Sequence, residues 1–440
     1  MIVLLLFLII VLILISEFHF FPDIMMYYTT ILPIIYIAVN FYYIKWVKNG
    51  ELLNFEFFFA ISFFLCSFLT PIILPFLNSW SSRLFLDSPD IQFRTYIISM
   101  VGYLFYMLGL LIFKNKSNEH KQYLDNQISC KLVNISNNVC FVFILFFLLA
   151  GGTALLKLYS TEHEHETRLG TWGGLLTYSI ISYTISVLVN FLFLKQNKRK
   201  LFELPILFWV NSAILFVMLA ISGYRSNLIQ IAIPVFYVYN RFYKEIAKGK
   251  VLIFVVIGVL FLLYSGFTRG EQNLDFHSLE FISIFRDFSY SNAANIYLID
   301  YADNNGFTYG ANWTLQILSI IPFLQSLFIL LFGHSFIAQS SSSFFTEELS
   351  EGNGGLGTGI IGDLYYSAGL VGVCFLMFLL GVFCRKVSSG KSLVVIVMCL
   401  IFVGNSIFAC RVEFFYIVRS IAFSAIIMWL ELKMANIKNI

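Results

Sequence analysis

The arginines of this chain are distributed differently from its lysines, and the difference points to an anion-binding site. Counted between apolar runs, sixteen of the seventeen lysines fall on the cytoplasmic side of an inferred membrane, whereas eight of the eleven arginines fall on the other side. Arginine keeps its charge and can grip phosphate with two parallel hydrogen bonds. The outer arginines are therefore candidates for binding an anionic ligand: Arg83, Arg94, Arg168, Arg225, Arg269, Arg286, Arg411 and Arg419.

Two of these arginines stand directly at the ends of apolar runs. Arg225 lies in the short turn 222–227 between two runs, and Arg269 follows another run almost directly. A charge held this close to lipid is costly, so it is a functional hypothesis by default. Simpler interpretations stay open, namely a headgroup anchor for Arg225 and a local ion pair of Arg269 with Glu271.

Two more arginines, Arg411 and Arg419, belong to the last pair of apolar runs. If both lie on one helix, their separation is about 12 Å along the axis, so Arg419 lies inside the membrane and both can address one cavity. The alternative is that Arg419 pairs with a carboxylate on another helix. Arg286 adjoins Asp287, which leaves its role open. The others are interpreted as ordinary surface charges: Arg83, Arg94 and Arg168.

A glycine-rich stretch, 352–362, leads into Asp363 and Tyr365. Glycines let a backbone approach a ligand closely, and the amides at the start of the following helix favour an anion. Gly357 and Tyr365 are therefore candidate ligand contacts. Asp363 falls in the first helical turn, where a carboxylate is either an acid–base group or a helix cap. A flexible loop with a capping aspartate remains the plainer interpretation.

A hydroxyl nucleophile needs only one well-placed carboxylate or histidine as its base. The sequence does not choose among the candidates on the outer side: Asp363, Asp287, Glu271, Asp300, His277 and His334. The Glu–His alternation at 162–166 is interpreted as a solvated loop, since alternate residues splay apart on a helix. No Asp-x-Asp pair or metal-ligand spacing of cysteines occurs, so we expect neither a metal site nor a soluble cofactor.

Composition places these residues in an all-α polytopic membrane protein. The chain has 440 residues, of which 59% are hydrophobic and 12% are charged, about half the charged fraction of ordinary soluble domains. The seven cysteines show no disulfide framework, and nothing indicates nucleic acid as a partner. The first apolar run lacks a basic residue before it and a cleavage site after it, which favours a first span over a signal peptide.

The positions of the lysines, which concentrate in cytoplasmic loops, predict twelve membrane spans with both ends of the chain in the cytoplasm. Nine spans fall in residues 1–267, and three spans with a cytoplasmic tail fall in 363–440. Residues 268–362 form one long outer loop, where binding and catalytic residues concentrate. The apolar segment 315–333 within this loop is predicted not to cross, because a thirteenth crossing would place later lysines outside. The predicted spans are 1–16, 27–44, 55–77, 96–113, 139–156, 175–194, 204–221, 226–240, 251–267, 364–384, 392–409 and 413–432.

The order and sidedness of several short motifs between 221 and 372 resemble the O-antigen polymerase (Wzy) family of oligosaccharide repeat-unit polymerases. The motifs are Ser222-Gly223-Tyr224-Arg225, Arg269-Gly270, Phe307-Thr308-Tyr309-Gly310 before Ile321-Pro322, and the glycine-rich stretch leading into Gly362-Asp363-Leu364-Tyr365 and Gly369-Leu370-Val371-Gly372. The chain departs from the family pattern at Asp363, where glutamate is frequent, and after Pro322, where basic residues are usual.

The resemblance implies a GT-C-like helical glycosyltransferase of the bacterial inner membrane whose active site faces the periplasm. Such an enzyme moves a growing glycan from undecaprenyl pyrophosphate onto the next carrier-linked repeat unit. Arg225 and Arg269 would hold the pyrophosphate and Asp363 would join them in catalysis. From the residue patterns, the further expected substrate contacts are Arg286, Arg411, Arg419, Tyr365 and Gly357. A polysaccharide chain-length regulator is left open as a partner. The alternatives are an O-antigen ligase and a flippase or transporter of the same lipid-linked unit.

Overall fold

The computed structural model describes residues 2–17, 25–47, 54–73, 89–112, 128–150, 170–221, 225–247, 249, 286–321, 324–332, 340–350, 357–390 and 392–436, and these contain helices and turns without any strand. The helices are α1 Ile2–Glu17, α2 Met25–Trp46, α3 Phe55–Ser67, α4 Thr70–Ile73, α5 Pro89–Ile112, α6 Cys130–Leu149, α7 Gly170–Gln196, α8 Ile206–Ile221, α9 Arg225–Val238, α10 Arg286–Asn305, α11 Thr314–Leu318, α12 Leu324–Phe332, α13 Ser341–Ser350, α14 Ile360–Ser388, α15 Leu393–Asn405 and α16 Phe414–Met434.

The apolar runs form helices because a backbone in lipid must satisfy its own hydrogen bonds. Five described helices are long and apolar enough to cross a bilayer, and they contain 90–112, 130–149, 174–196, 360–388 and 414–434. Shorter apolar helices occupy much of the other predicted spans, except 226–240, which corresponds to helix α9, and 251–267, which lies outside the described residues. The helical membrane class is confirmed, whereas the number of twelve spans and the GT-C likeness stay predictions.

The described residues form two compact units, and the first comprises Met1–Ser117, Phe281–Ser389 and Ser406–Arg419. Its centre is the close contact of α5 with α14. A Cβ added to Gly109 would lie 2.3 Å from the Phe378 carbonyl oxygen, and one added to Gly381 would lie 2.1 Å from that of Tyr106. The two backbones therefore touch, which is the packing that small residues permit between membrane helices.

Helix α10 lies in the predicted outer loop, yet it is built into the first unit. Four polar residues on it are buried: Ser289, Ser291, Asn292 and Asn295. The Asn292 side chain donates to the Ser67 carbonyl oxygen at 3.1 Å, and Asn295 Oδ1 accepts from the Gly362 amide at 2.7 Å. A polar helix can be buried here because neighbouring backbones supply its partners.

The apolar segment 315–333 contains two short helices. Helix α11 has five residues and α12 has nine, and residues 319–321 between them are turns. Each helix is shorter than the roughly 20 residues needed to cross the hydrocarbon core. That the segment 315–333 does not cross the bilayer stays a prediction. The predicted boundaries of the outer loop, after residue 267 and at residue 362, also stay predictions.

The second unit comprises Asn118–Glu280, Gly390–Asn405 and Ser420–Ile440. A buried polar network joins its helices α6, α7 and α8. Asn137 Oδ1 accepts from Ser186 at 2.7 Å and from Asn190 at 3.1 Å, and the Asn137 carbonyl oxygen accepts from Asn211 at 3.0 Å. Such hydrogen bonds hold apolar helices together in a fixed register.

Candidate active site

Asp363 is the centre of the most connected polar site among the described residues. It lies in the first turn of α14 and is 0% exposed. Its Oδ1 accepts from Asn312 Nδ2 at 3.1 Å and Ser341 Oγ at 2.7 Å, and its Oδ2 accepts from Trp313 Nε1 at 3.2 Å and the Phe414 amide at 3.0 Å. One carboxylate thereby joins the start of α14 to three other segments.

These four bonds decide what Asp363 can do. A carboxylate accepts about four hydrogen bonds, so its acceptor positions are filled by protein donors. A general base must reach the proton that it removes. With no exposed surface in this structure, the Asp363 side chain holds neighbouring segments in place, and its catalytic role stays a prediction.

A second set of hydrogen bonds fixes the segment that carries Asn312. Asn312 Oδ1 accepts from the Thr308 hydroxyl at 2.6 Å and from the Ser367 hydroxyl at 2.8 Å. The Thr308 amide donates to the Tyr366 carbonyl oxygen at 3.0 Å. A kink in α14 at Ala368 and Gly369 frees the Tyr366 carbonyl oxygen from the regular hydrogen bonding of the helix. Gly369 has φ +62° and packs against Phe307. The Phe307–Gly310 motif is thus bound to the kinked helix.

The turn 406–413 joins α15 to α16 and carries both Arg411 and Glu413. It is held from two sides, because Ser62 donates to the Ile407 carbonyl oxygen and the Ile360 amide donates to the Cys410 carbonyl oxygen at 3.1 Å. Helix α16 begins only at Phe414. The expectation that Arg411 and Arg419 lie on one helix is therefore wrong, because Arg411 precedes the helix and Arg419 lies in its second turn.

Glu413 is a partly buried carboxylate that the sequence did not single out. Its Oε1 accepts from the Ser342 amide at 3.3 Å. Burial raises the pKa of the Glu413 carboxyl, and the hydrogen bonds from Ser340 and Ser342 together with the charge of Arg419 oppose that rise. The signal that could have found it is its position two residues after Arg411, as the first residue of the predicted span 413–432.

Both arginines of this region lie against aromatic rings. The Arg411 guanidinium carbon is 5.2 Å from the ring centre of Phe288, and that of Arg419 is 4.8 Å from the ring centre of Tyr416. Guanidinium groups over aromatic faces are weakly hydrated and keep their charge. They are suited to binding an anion at the edge of an apolar region.

The glycine-rich segment has a different role from the one expected. Gly357 has φ +79°, and its added Cβ would lie 3.3 Å from the Arg411 carbonyl oxygen. The amides of Thr358 and Ile360 donate to Arg411 and Cys410, and that of Gly362 donates to Asn295. These amides at the start of α14 already have protein acceptors, so the expectation that they bind an anion is wrong. Residues 351–356 lie outside the described residues.

Tyr365 is engaged with an ion pair. Its hydroxyl donates to Asp303 Oδ1 at 2.7 Å and accepts from Arg94 Nη2 at 3.0 Å, and Arg94 Nη1 lies 3.2 Å from Asp303 Oδ2. Arg94, interpreted as an ordinary surface charge, is in fact part of this three-residue cluster. The cluster connects α5 with α10 and α14, so its visible role is to hold these three helices together.

The remaining predicted site residues are only partly described. Arg225 is the first residue of α9 in the second unit, and Arg286 is the first residue of α10 in the first unit. The side chains of both arginines and of Asp287 are outside the described atoms, and Asp300 lies on α10. Residues entirely outside the described ranges are Arg83, Arg168, Arg269, Glu271, His277, His334 and the run 162–166.

No cluster of three histidine, cysteine, aspartate or glutamate side chains suited to a metal occurs among the residues that the structure describes. The chemistry available at this site is therefore that of carboxylate, guanidinium, hydroxyl and aromatic groups. Such groups can stabilise a departing anion and accept a proton. The absence of a metal or cofactor from the reaction stays an expectation.

Comparison with known proteins gave one informative match. A family model described as O-antigen polysaccharide polymerase Wzy matches residues 1–435. No match was found among curated proteins or among solved structures. Because the matched residues span nearly the whole chain, including every segment of the site around Asp363, the protein belongs to the O-antigen polysaccharide polymerase Wzy family.

Proposed function

We propose that this repeat-unit polymerase uses undecaprenyl-pyrophosphate-linked oligosaccharide as both donor and acceptor, at the periplasmic face of the bacterial inner membrane. The growing glycan moves from its carrier onto the sugar of the next carrier-linked unit. Family membership supports the polymerase role. The donor, the acceptor and the sidedness are the proposed parts.

The observation that carries this proposal is the grouping of opposite charges at the start of an apolar helix. Arg411 and Glu413 share the turn 406–413, and Arg419 follows in the second turn of α16. Guanidinium groups can bind the diphosphate as negative charge develops on it, and a carboxylate can accept the hydroxyl proton. A lipid-linked diphosphate would present its charge at this boundary.

We further propose diphosphate-binding roles for the other predicted arginines. Arg225 and Arg269 match the arginine positions of the family motifs, and Arg286 stands at the start of α10. Asp363 belongs to the catalytic site as the residue that positions its segments, and Gly357 permits the close approach of the backbone to Arg411. Tyr365 lies two residues after Asp363 on α14, and its hydroxyl is hydrogen-bonded to Arg94 and Asp303.

The decisive experiment is a reconstituted reaction. Purified protein with undecaprenyl-pyrophosphate-linked repeat units and no nucleotide sugar should give a ladder of products spaced by one unit. Arg225→Ala and Arg269→Ala should abolish the ladder while the protein stays inserted, and Arg→Lys changes should also reduce it, because the forked donor is lost. The exposed Arg199, predicted to be cytoplasmic, provides the control variant Arg199→Ala, which should keep the ladder.

Two results would contradict the proposal. One is the lack of any ladder under conditions in which a related polymerase is active, and the other is a requirement for nucleotide sugars. A lipopolysaccharide gel of a deletion strain separates the ligase alternative, because loss of a ligase leaves polymer on the carrier whereas loss of this polymerase should leave single repeat units.

A further inference from the structure

The turn 406–413 presents one carboxylate, Glu413, that differs from Asp363 in exposure and in hydrogen bonding. Asp363 is 0% exposed and accepts four hydrogen bonds from protein donors. Glu413 is partly exposed, and it accepts from the Ser342 amide at 3.3 Å and from the Ser340 side chain. Between the two, only Glu413 retains surface through which a substrate hydroxyl could reach it.

Glu413 is also held in position from both sides. The amide of the next residue, Phe414, donates to Asp363 at 3.0 Å, which fixes the backbone on one side of the carboxylate. On the other side, Ser342 at the start of α13 binds the carboxylate itself, and α13 is tied to Asp363 through Ser341. Asp363 thus fixes both the backbone of Glu413 and the helix that binds its side chain.

Resting on the proposed function, we propose that Glu413 is the general base of the polymerisation reaction and that Asp363 is its positioning residue. The acceptor hydroxyl oxygen forms a bond to the anomeric carbon of the donor sugar. The bond from that carbon to the diphosphate oxygen breaks, and its electron pair leaves with the lipid diphosphate. The hydroxyl proton passes to the Glu413 carboxylate, which later releases it to water.

Arg411 and Arg419 fit the complementary role of stabilising the departing diphosphate. Arg411 lies two residues before Glu413 on the same turn, and the charge of Arg419 acts on the Glu413 carboxylate. Charge that develops on the leaving oxygens would therefore appear near the Arg419 guanidinium, with Arg411 on the same turn as Glu413, while the proton moves to the Glu413 carboxylate. Donors placed where charge develops supply a large part of the rate enhancement of many enzymes.

The pH dependence of the reaction follows from the surroundings of Glu413. The charged or titratable groups that face it are Arg419 from α16 and Asp363 from α14, with Arg411 on its own turn. Burial raises the pKa of Glu413 above that of an ordinary glutamate. Because the base must be deprotonated, the rate should fall as the pH is lowered through this raised pKa and should level off above it.

The test uses the full-length protein and undecaprenyl-pyrophosphate-linked repeat units. Glu413→Gln keeps the size and the acceptor for the Ser342 amide but removes the base, so kcat should fall about 100-fold or more with little change in KM. It should also lose the acid limb of the pH–rate profile. Glu347→Gln is the matched control, since Glu347 is an exposed glutamate on α13 and its replacement should leave the rate unchanged.

Two further variants keep the proposal testable if Glu413→Gln does not insert. Glu413→Asp should retain a reduced rate together with the acid limb. Glu413→Gly should be inactive, and added formate should restore part of its rate by supplying a carboxylate in the vacated space. Neither effect is expected if Glu413 only stabilises the turn.

The outcomes separate this inference from the function on which it rests. A wild-type protein that makes no ladder would overturn the proposed function. A ladder from the wild type with an unchanged rate and acid limb in Glu413→Gln would overturn the role of Glu413 alone. Loss of activity that formate does not restore in Glu413→Gly, with no acid limb in Glu413→Asp, would likewise overturn it.

Discussion

At the scale of single residues, the two carboxylates of the candidate site differ in exposure and in hydrogen bonding. Asp363 is buried and accepts four hydrogen bonds, whereas Glu413 is partly exposed beside Arg419. A buried carboxylate is tolerated when its hydrogen-bonding positions are satisfied. The family position occupied by Asp363 can therefore be essential without the residue meeting the substrate.

Asp363→Asn tests this positioning role. Three partners of the carboxylate are N–H donors, on Asn312, Trp313 and Phe414, and they contact both of its oxygens. Whichever way the asparagine side chain is turned, its NH₂ group would face an N–H donor and could not accept a hydrogen bond from it. We expect destabilisation of about 1–3 kcal/mol and a strong loss of activity, measured by thermal unfolding in detergent and by the product ladder.

Asp90→Asn is the control for this change, because Asp90 is an exposed aspartate at the start of α5. It should unfold and polymerise as the wild type does. If Asp363→Asn behaved like this control in both measurements, the central position of Asp363 in the site would be refuted.

At the scale of elements, the glycines of α14 serve helix packing and bending more than ligand binding. Gly359 and Gly362 allow Asn295 of α10 to approach, Gly369 permits the kink, and Gly381 meets the backbone of α5. Several of these contacts leave less room than a methyl group needs. The described glycines of α14 thus reflect how closely this helix packs against α10 and α5.

Gly109→Ala tests the contact between α5 and α14. The added methyl group would lie 2.3 Å from the Phe378 carbonyl oxygen, so the helices must separate. Overpacking of this kind costs about 1–3 kcal/mol. We expect a lower unfolding temperature in detergent and reduced polymerisation, because α14 carries Asp363.

The control for this change is Gly174→Ala, at a helical glycine whose added Cβ meets nothing within 4 Å. Alanine favours helix over glycine by about 1 kcal/mol, so this variant should be neutral or slightly more stable. Equal stability of the Gly109 and Gly174 variants would show that α5 and α14 do not pack as described.

At the scale of the whole molecule, the segment between residues 281 and 362 belongs to the same compact unit as α1–α5 and α14. Its helix α10 buries polar residues against membrane helices, and Ser341 of α13 reaches Asp363. The long predicted outer loop is therefore no independent module where it is described. It contributes side chains directly to the candidate active site.

The sidedness of the molecule is tested by cysteine labelling in a cysteine-free background. With twelve spans, Ser222→Cys should react with a membrane-impermeant maleimide added to the periplasm, whereas Lys198→Cys should react only after the inner membrane is opened. Lys198 is exposed and lies between two predicted spans on the lysine-rich side. Labelling of Ser222→Cys only after permeabilisation would place Arg225 in the cytosol and remove it from the proposed site.

The sequence by itself determined the helical membrane class, most helix positions and the family. This was possible because an apolar run must form a helix in lipid wherever its neighbours lie, so the information is local. The motif around Asp363 was likewise visible as a string of residues. The pairing of Arg94 with Asp303 and the importance of Glu413 were not.

Only the tertiary structure decided which carboxylate is buried and which is accessible. Asn312, Ser341 and Phe414 lie 22 to 51 residues from Asp363 along the chain, and they meet it through hydrogen bonds that no local pattern records. A hydrogen bond depends on distance and direction between atoms that folding brings together. The same reason explains why Arg411, expected on a helix, lies instead on the turn that Asp363 holds in place.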